Sequence, residues 1–232
     1  MPDPLNATLD ELNGLAAESG VRTESGAALR FVLPSAERGP YGEYELRAFE
    51  SGEVATRQGS LHDLFNALAW LAFPRTKAKL NALHARAIAT EGGQRGRFRD
   101  LLTLLDEGGA LIACEDPGLI GLVRDLRWKA LFWEERERLL RGMRILVLGH
   151  AVMERALAPW PGITCKALFV PSSGDADAHA SRWREALPEG ASPRDLPPLP
   201  VFGFPGWHPG SATPDFYDDD RWFRGSRARR AE

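Results

Sequence analysis

The chain has 232 residues, 44% of them hydrophobic, which is enough to bury a substantial core. Its formal charge of −3 argues against a polyanionic partner such as duplex DNA, which calls for a clustered basic face. Only four of the 29 basic residues are lysines (Lys77, Lys79, Lys129 and Lys166), a bias that carries no functional assignment.

The N-terminal MPDPLNATLDELNGLA has acidic residues where a secretory leader has basic ones, and it lacks a continuous apolar stretch, so the expected location is the cytoplasm. Thr8, with Asp10 and Glu11 in the first turn and apolar Leu9, Leu12, Leu15 and Ala16, predicts a capped amphipathic helix ending near Gly20. Ala28–Leu33, Glu43–Phe49 and Val54–Arg57 read as strands separated by Arg38-Gly39-Pro40 and Ser51-Gly52, which predicts a small antiparallel hairpin. Ser60 opens a helix, with Asp63 completing an approximate capping box and Leu61, Leu64, Phe65, Leu68 and Leu71 on the apolar side. The longest apolar run of the chain, Ala67 to Phe73, is far short of the ~20 residues of a membrane-spanning helix. Pro74 ends the helix and starts a second one, which runs to about Thr90 and stops at Gly92-Gly93.

Leu101–Leu105 and Ala110–Cys114 flank Asp106-Glu107-Gly108-Gly109, a second hairpin signal. Short helices follow at Pro117–Arg124 and Trp128–Arg141, then a strand at Arg144–Leu148, a helix at His150–Leu157, a strand at Ile163–Val170 and a surface helix at Asp175–Leu187. From Pro193 to Pro214 the density of proline and glycine excludes regular structure. Val201, Phe202, Phe204 and Trp207 nevertheless predict that this segment packs down. The tail from Gly225, GSRARRAE, reads as disordered. Cys114 and Cys165 both sit in apolar runs and read as buried thiols, with no Cys/His spacing for zinc. With no repeat and no linker, the expectation is a single α+β domain over residues 1–224, antiparallel strands or hairpins beside a helix-rich layer, followed by a tail at 225–232.

The candidate site lies in SLHDLFNALAWLAFPRTKAKLNALH. His62, Asn66 and Trp70 stand one above another on the first helix, and Lys77, Asn81 and His84 repeat the arrangement beyond the proline. If the helices meet at an angle, His62, Asn66, Lys77, Asn81 and His84 converge on one hollow. They supply an imidazole acid or base, orienting amides and a cation, the kit for an anionic or carbonyl-containing small molecule. The plainer alternative has Asn and His bonding main chain at the kink while Lys77 and Lys79 are solvated. His150, Asp106 and Glu107 are the further residues a metal would need, but no local spacing links them, so no metal is assigned and the cofactor is left unknown. A hairpin ahead of His62 and Asn66 suggests a ββα-metal nuclease, yet no histidine precedes position 62. The patterns GxSxG, GxxxxGK[ST] and HExxH are absent. Lys166 in its strand, His150 after Gly149, and Asp218-Asp219-Asp220 are secondary candidates with ordinary structural alternatives.

HDLFNALAWLAFPRTKAKLNALH, RDLLTLLDEGGALIA, WKALFW, the GHAVMERAL block, CKALFV and PVFGFPGW with FYDDDRWFR, in this order, cover most of the chain from Thr8 to Arg224. In these blocks the chain resembles a bacterial family known only as domain of unknown function three thousand and twenty-five. The resemblance implies a single bacterial domain and brings no catalytic residue, cofactor or substrate with it. The function the residues themselves suggest is a cytoplasmic, hydrolase-like small-molecule enzyme. The alternative is a binding or adaptor domain that uses the same helices and the Trp-rich C-terminal segment. The sequence specifies no oligomeric state.

Overall fold

The computed structural model describes residues 7–35, 43–90, 95–180, 182 and 191–225. Helix α1 (Leu9–Glu18) opens as expected. Thr8 Oγ1 accepts from the Glu11 amide and the Glu11 carboxylate accepts from the Thr8 amide, so two donors of the first turn are satisfied reciprocally.

β1 (Arg30–Val32), α2 (Glu43–Ser51) and β2 (Glu53–Ala55) follow, and β1 pairs in parallel with β2, Phe31 opposite Val54. The antiparallel hairpin expected here is therefore a strand–helix–strand unit. EYELRAFES is rich in good helix formers and buries Ala48 four residues after Tyr44, and a parallel pair needs a crossover that a tight turn cannot supply. Gly52 joins α2 to β2 at φ +75°, and a Cβ there would lie 2.1 Å from the Ala28 carbonyl oxygen. The Arg38-Gly39-Pro40 turn lies outside the described residues.

Helices α3 (Leu61–Ala72) and α4 (Pro74–Thr90) break at Phe73, as the proline predicts. Ser60 Oγ accepts from the Asp63 amide. The Asp63 carboxylate, however, turns to the Arg57 amide and guanidinium, so only half of the capping box forms. The start of α4 is capped from a distance: Asp177 Oδ1 accepts from the Thr76 amide at 2.8 Å and hydroxyl at 2.6 Å, and Oδ2 from the Arg75 amide at 2.9 Å. The Gly92-Gly93 stop lies outside the described residues.

The second expected hairpin is also absent, because α5 (Arg97–Gly108) runs directly into β3 (Gly109–Ala113). Leu101, Leu102 and Leu105 are all buried at helical spacing, a 3.6-residue pattern that overrides the Asp-Glu-Gly-Gly turn signal. Beyond it come α6 (Pro117–Arg124), a π-helical turn (Ala130–Glu134), α7 (Arg136–Gly142), β4 (Arg144–Val147), α8 (His150–Ala156), β5 (Thr164–Val170), α9 (Ala176–Ala180) and β6 (Pro198–Pro200). Of the expected Asp175–Leu187 helix, Ala176–Ala180 is helical, Asp175 precedes it and Arg182 lies in a turn; residues 181 and 183–187 lie outside the described residues, as do residues 226–232 of the tail.

The main sheet has the order β4-β3-β5-β6, with β3 antiparallel to β4 and parallel to β5, and β5 antiparallel to β6. The class is α+β, with antiparallel pairs joined by long connections. All five residues of β3 are buried, as befits a strand covered on both faces. Ala110 and Ile112 face an aromatic-rich core with Phe132, Tyr217 and Phe223, whereas Leu111 and Ala113 face Leu80, Leu83, Leu101 and Leu105. A third cluster around Phe31, Val54, Leu64 and Trp70 joins α1, α2 and α3 to the small sheet. β6 corrects the expectation of no regular structure after Pro193. As an edge strand it tolerates Pro198 and Pro200, whose missing N–H groups would otherwise break the ladder. Val201 is buried and Phe202 and Phe204 pack on the core, as expected of that segment. Among the described residues, no helix is long and apolar enough to cross a membrane.

Candidate functional site

Four of the five candidate side chains are brought together. The break at Phe73 sets α4 across α3, so that Lys77 Nζ reaches back to donate to Asn66 Oδ1 at 2.8 Å and lies 5.5 Å from the centre of the Trp70 ring. Lys77, 3% exposed, also makes a short ion pair with Asp106, near the end of α5. Asn66 Nδ2 donates to the Tyr44 hydroxyl at 2.9 Å, and Asn81 Nδ2 donates to both the carbonyl oxygen and the carboxylate of Glu45 at 2.9 and 2.8 Å. Tyr44, Glu45, Trp70, Lys77, Leu80, Asn81, His84 and Asp106 enclose a void of about 10 Å³, room for one water. Asn81 Oδ1 and His84 Nδ1 are buried on its lining residues without a hydrogen-bond partner among the described residues.

Burial in this cluster moves its titratable groups apart. Burial and then the Asp106 charge raise Glu45 to about 7, against the pull of Asn81, Lys77 and Arg99. Burial lowers His84 to about 4 even though Asp106 favours its charged form. Burial would raise Asp106 too, but the opposing interactions, led by the Lys77 charge, together hold this carboxyl below its usual range. Burial, followed by the Glu45 and Asp106 charges, raises Tyr44 and keeps its phenol protonated.

His62 is placed elsewhere. Its Nδ1 contacts Glu154 Oε2 at 3.1 Å and its Nε2 contacts His150 Nε2 at 3.2 Å, and it does not line the void. His150 reaches the Asp106 carbonyl oxygen with Nδ1 at 2.8 Å. Gly149 allows this approach, since a Cβ there would come within 2.6 Å of the Glu107 carbonyl oxygen. Asp106 and His150, weighed above as metal ligands, thus meet as hydrogen-bond partners. Among the described residues, no group of three or more His, Cys, Asp and Glu is placed to hold a metal ion. Lys166 Nζ donates to the Pro193 and Leu196 carbonyls, Asp218 pairs with Lys129, and Asp219 pairs with Arg221, so each of these secondary candidates has a local partner. A larger hollow of about 730 Å³ opens between Leu126–Ala130 and residues 217–225, away from all five candidates.

A family model described as a protein of unknown function (DUF3025) matches residues 29–227. The chain belongs to this family. No curated protein and no solved structure matches it. For this DUF3025 member, two polar residues of the void, Tyr44 and Glu45, escaped the sequence reading, and a third, Asp106, entered it only as a possible metal ligand. Each sat in a segment read as strand or turn, although the buried spacing of Leu101, Leu102 and Leu105 is helical and would have placed Asp106 on a helix face, and the helix formers of Glu43–Ser51 would have done so for Tyr44 and Glu45.

Proposed function

We propose that this DUF3025 member is a cytoplasmic bacterial small-molecule enzyme of hydrolase type, with its acid–base centre at the void between α2, α4 and α5. One observation carries the reading: a carboxyl and an imidazole on the same small void are driven in opposite directions, Glu45 up to about 7 and His84 down to about 4. Such a pair supplies a base poised at neutral pH beside an uncharged ring. In this scheme Glu45 removes a proton from water as the water oxygen attacks a carbonyl or anionic substrate, and the protonated Glu45 then returns that proton to the leaving oxygen as its bond to the attacked atom breaks. Asn81 Oδ1 and His84 Nδ1 orient the reactants, and Lys77, steadied by Asn66 and Asp106, offsets negative charge. The void fits the attacking water. Tyr44, which lines it and is 41% exposed, is the wall that a substrate meets from solvent.

A binding role through the C-terminal aromatics has less support, because Phe216, Tyr217, Trp222 and Phe223 pack on the core and Trp207 is left 38% exposed. The ββα nuclease reading loses its hairpin to the parallel β1–β2 pair. Hydrolysis of 4-nitrophenyl acetate and 4-nitrophenyl phosphate by the full chain, followed from about pH 5 to 9, tests the proposal. The rate should climb through about pH 7, and Glu45→Gln should lower it by about 100-fold or more. Absence of turnover with both esters, or a rate that Glu45→Gln retains, overturns the proposal.

A further inference from the structure

Glu154, His62 and His150 form a chain that starts on α8, crosses to α3, returns to α8 and ends on the main chain of α5. His62 Nδ1 lies 3.1 Å from Glu154 Oε2, the two Nε2 atoms lie 3.2 Å apart, and His150 Nδ1 lies 2.8 Å from the Asp106 carbonyl oxygen. The rings meet edge to face, with centres 4.6 Å apart.

A carbonyl oxygen only accepts, so His150 Nδ1 carries a hydrogen, and a neutral ring then has a bare lone pair on Nε2. A carboxylate also only accepts, so a neutral His62 keeps its hydrogen on Nδ1 and is bare at Nε2 as well. Two neutral rings held by these outer partners would leave two bare nitrogens 3.2 Å apart with no hydrogen between them. We infer that Glu154, His62 and His150 together hold one proton more than a carboxylate and two neutral imidazoles, and that this proton, between the two Nε2 atoms, ties α3 to α8. Moving it to Glu154 changes its address and not the count, because His62 would then accept at Nδ1 and still donate at Nε2.

The surrounding charges locate the proton. His150 is 4% exposed and faces the Asp106 carboxylate, 3.8 Å away, from α5 and the Lys77 cation from α4. Burial there disfavours a charged ring. The His62 side chain is 36% exposed beside Glu154 at 39%, while Asp63 on the same helix is engaged by Arg57. The extra proton therefore belongs on His62, which donates it toward His150. The tether exists while that proton is present and is lost as pH rises and removes it. Asp106, whose carbonyl ends the chain, also holds Lys77 at the void, so the tether and that ion pair share one residue. This inference rests on hydrogen-bond valence and is independent of the catalytic reading.

The test is ¹⁵N NMR of the histidine ring nitrogens of the full chain as a function of pH. Below the His62 midpoint both its nitrogens should be protonated while His150 stays neutral with its hydrogen on Nδ1. Glu154→Gln keeps an acceptor but removes the charge, and should move the His62 midpoint down by about one pH unit, a tenfold weaker hold on the proton. His62→Gln offers an amide donor that needs no extra proton, so His150 should remain neutral and the link between α3 and α8 should cease to titrate. Independent titration of the two rings with no response to Glu154→Gln overturns the inference. So do two unprotonated Nε2 atoms whose signals move with one equivalent of Zn²⁺, which would make the occupant a metal ion.

Discussion

Glu45 and His84 share one void and respond to acid in opposite senses. The unfolded chain protonates His84 near its ordinary value of 6.5, whereas the folded chain resists until about pH 4, so the stability this residue contributes falls as pH drops through that window. Glu45 keeps its proton in the folded state up to about 7 but loses it near 4.5 when unfolded, so its contribution falls as pH rises. Between about 4.5 and 6.5 the two slopes, each about 1.4 kcal/mol per pH unit, cancel. His84→Gln should leave stability falling with rising pH across this window, and Glu45→Gln should leave it rising, with the parent chain flatter than either. Urea midpoints at a series of pH values check this, and parallel curves for the three proteins would count against both assignments.

At the level of the element, two of the helices that carry the site, α4 and α2, each depend on a distant contact. The first amides of α4 are satisfied by Asp177, 101 positions along the chain from Thr76 and 8% exposed. Asp177→Ala should cost about 1–2 kcal/mol, as loss of a helix cap does, and should speed hydrogen exchange at the Arg75 and Thr76 amides more than elsewhere in α4. Helix α2, which presents Tyr44 and Glu45, is set against β1 by Gly52. Gly52→Ala meets both a left-handed φ and the Ala28 carbonyl oxygen 2.1 Å away, and should cost on the order of 3 kcal/mol in a urea titration while loosening the Asn81–Glu45 contact. Neither dependence follows local pattern. The Ser60 and Thr8 caps, each of which accepts from an amide three residues on, were legible in advance, whereas the return bond from Glu11 to Thr8 was not singled out.

In the molecule as a whole, the described core is organised around β3 and the mixed sheet, and both cysteines are enclosed by it. Cys114 is 3% and Cys165 1% exposed, and burial pushes the Cys165 thiol up to about 12. A thiolate-specific reagent should therefore leave both unlabelled in the native chain and label both once it is unfolded; rapid native labelling of Cys165 would contradict its enclosure. The helices at 9–18, 61–72, 74–90 and 117–124 and the strand at 164–170 were readable because hydrophobic period, caps and prolines act within a few residues. Strand pairing was not, because whether β1 and β2 run parallel or antiparallel is decided by what lies between them, and the turn residues there suggested the wrong connector. The same holds for the site. Helical spacing put Asn66, Lys77, Asn81 and His84 on facing stripes, but the carboxyls that bond Asn81 and Lys77, Glu45 and Asp106, come from α2 and α5. His62, one turn from Asn66, was claimed instead by α8. Side-chain period is a property of the local chain, whereas desolvation and ion pairing depend on which distant surfaces close over it, and these only the tertiary structure decides.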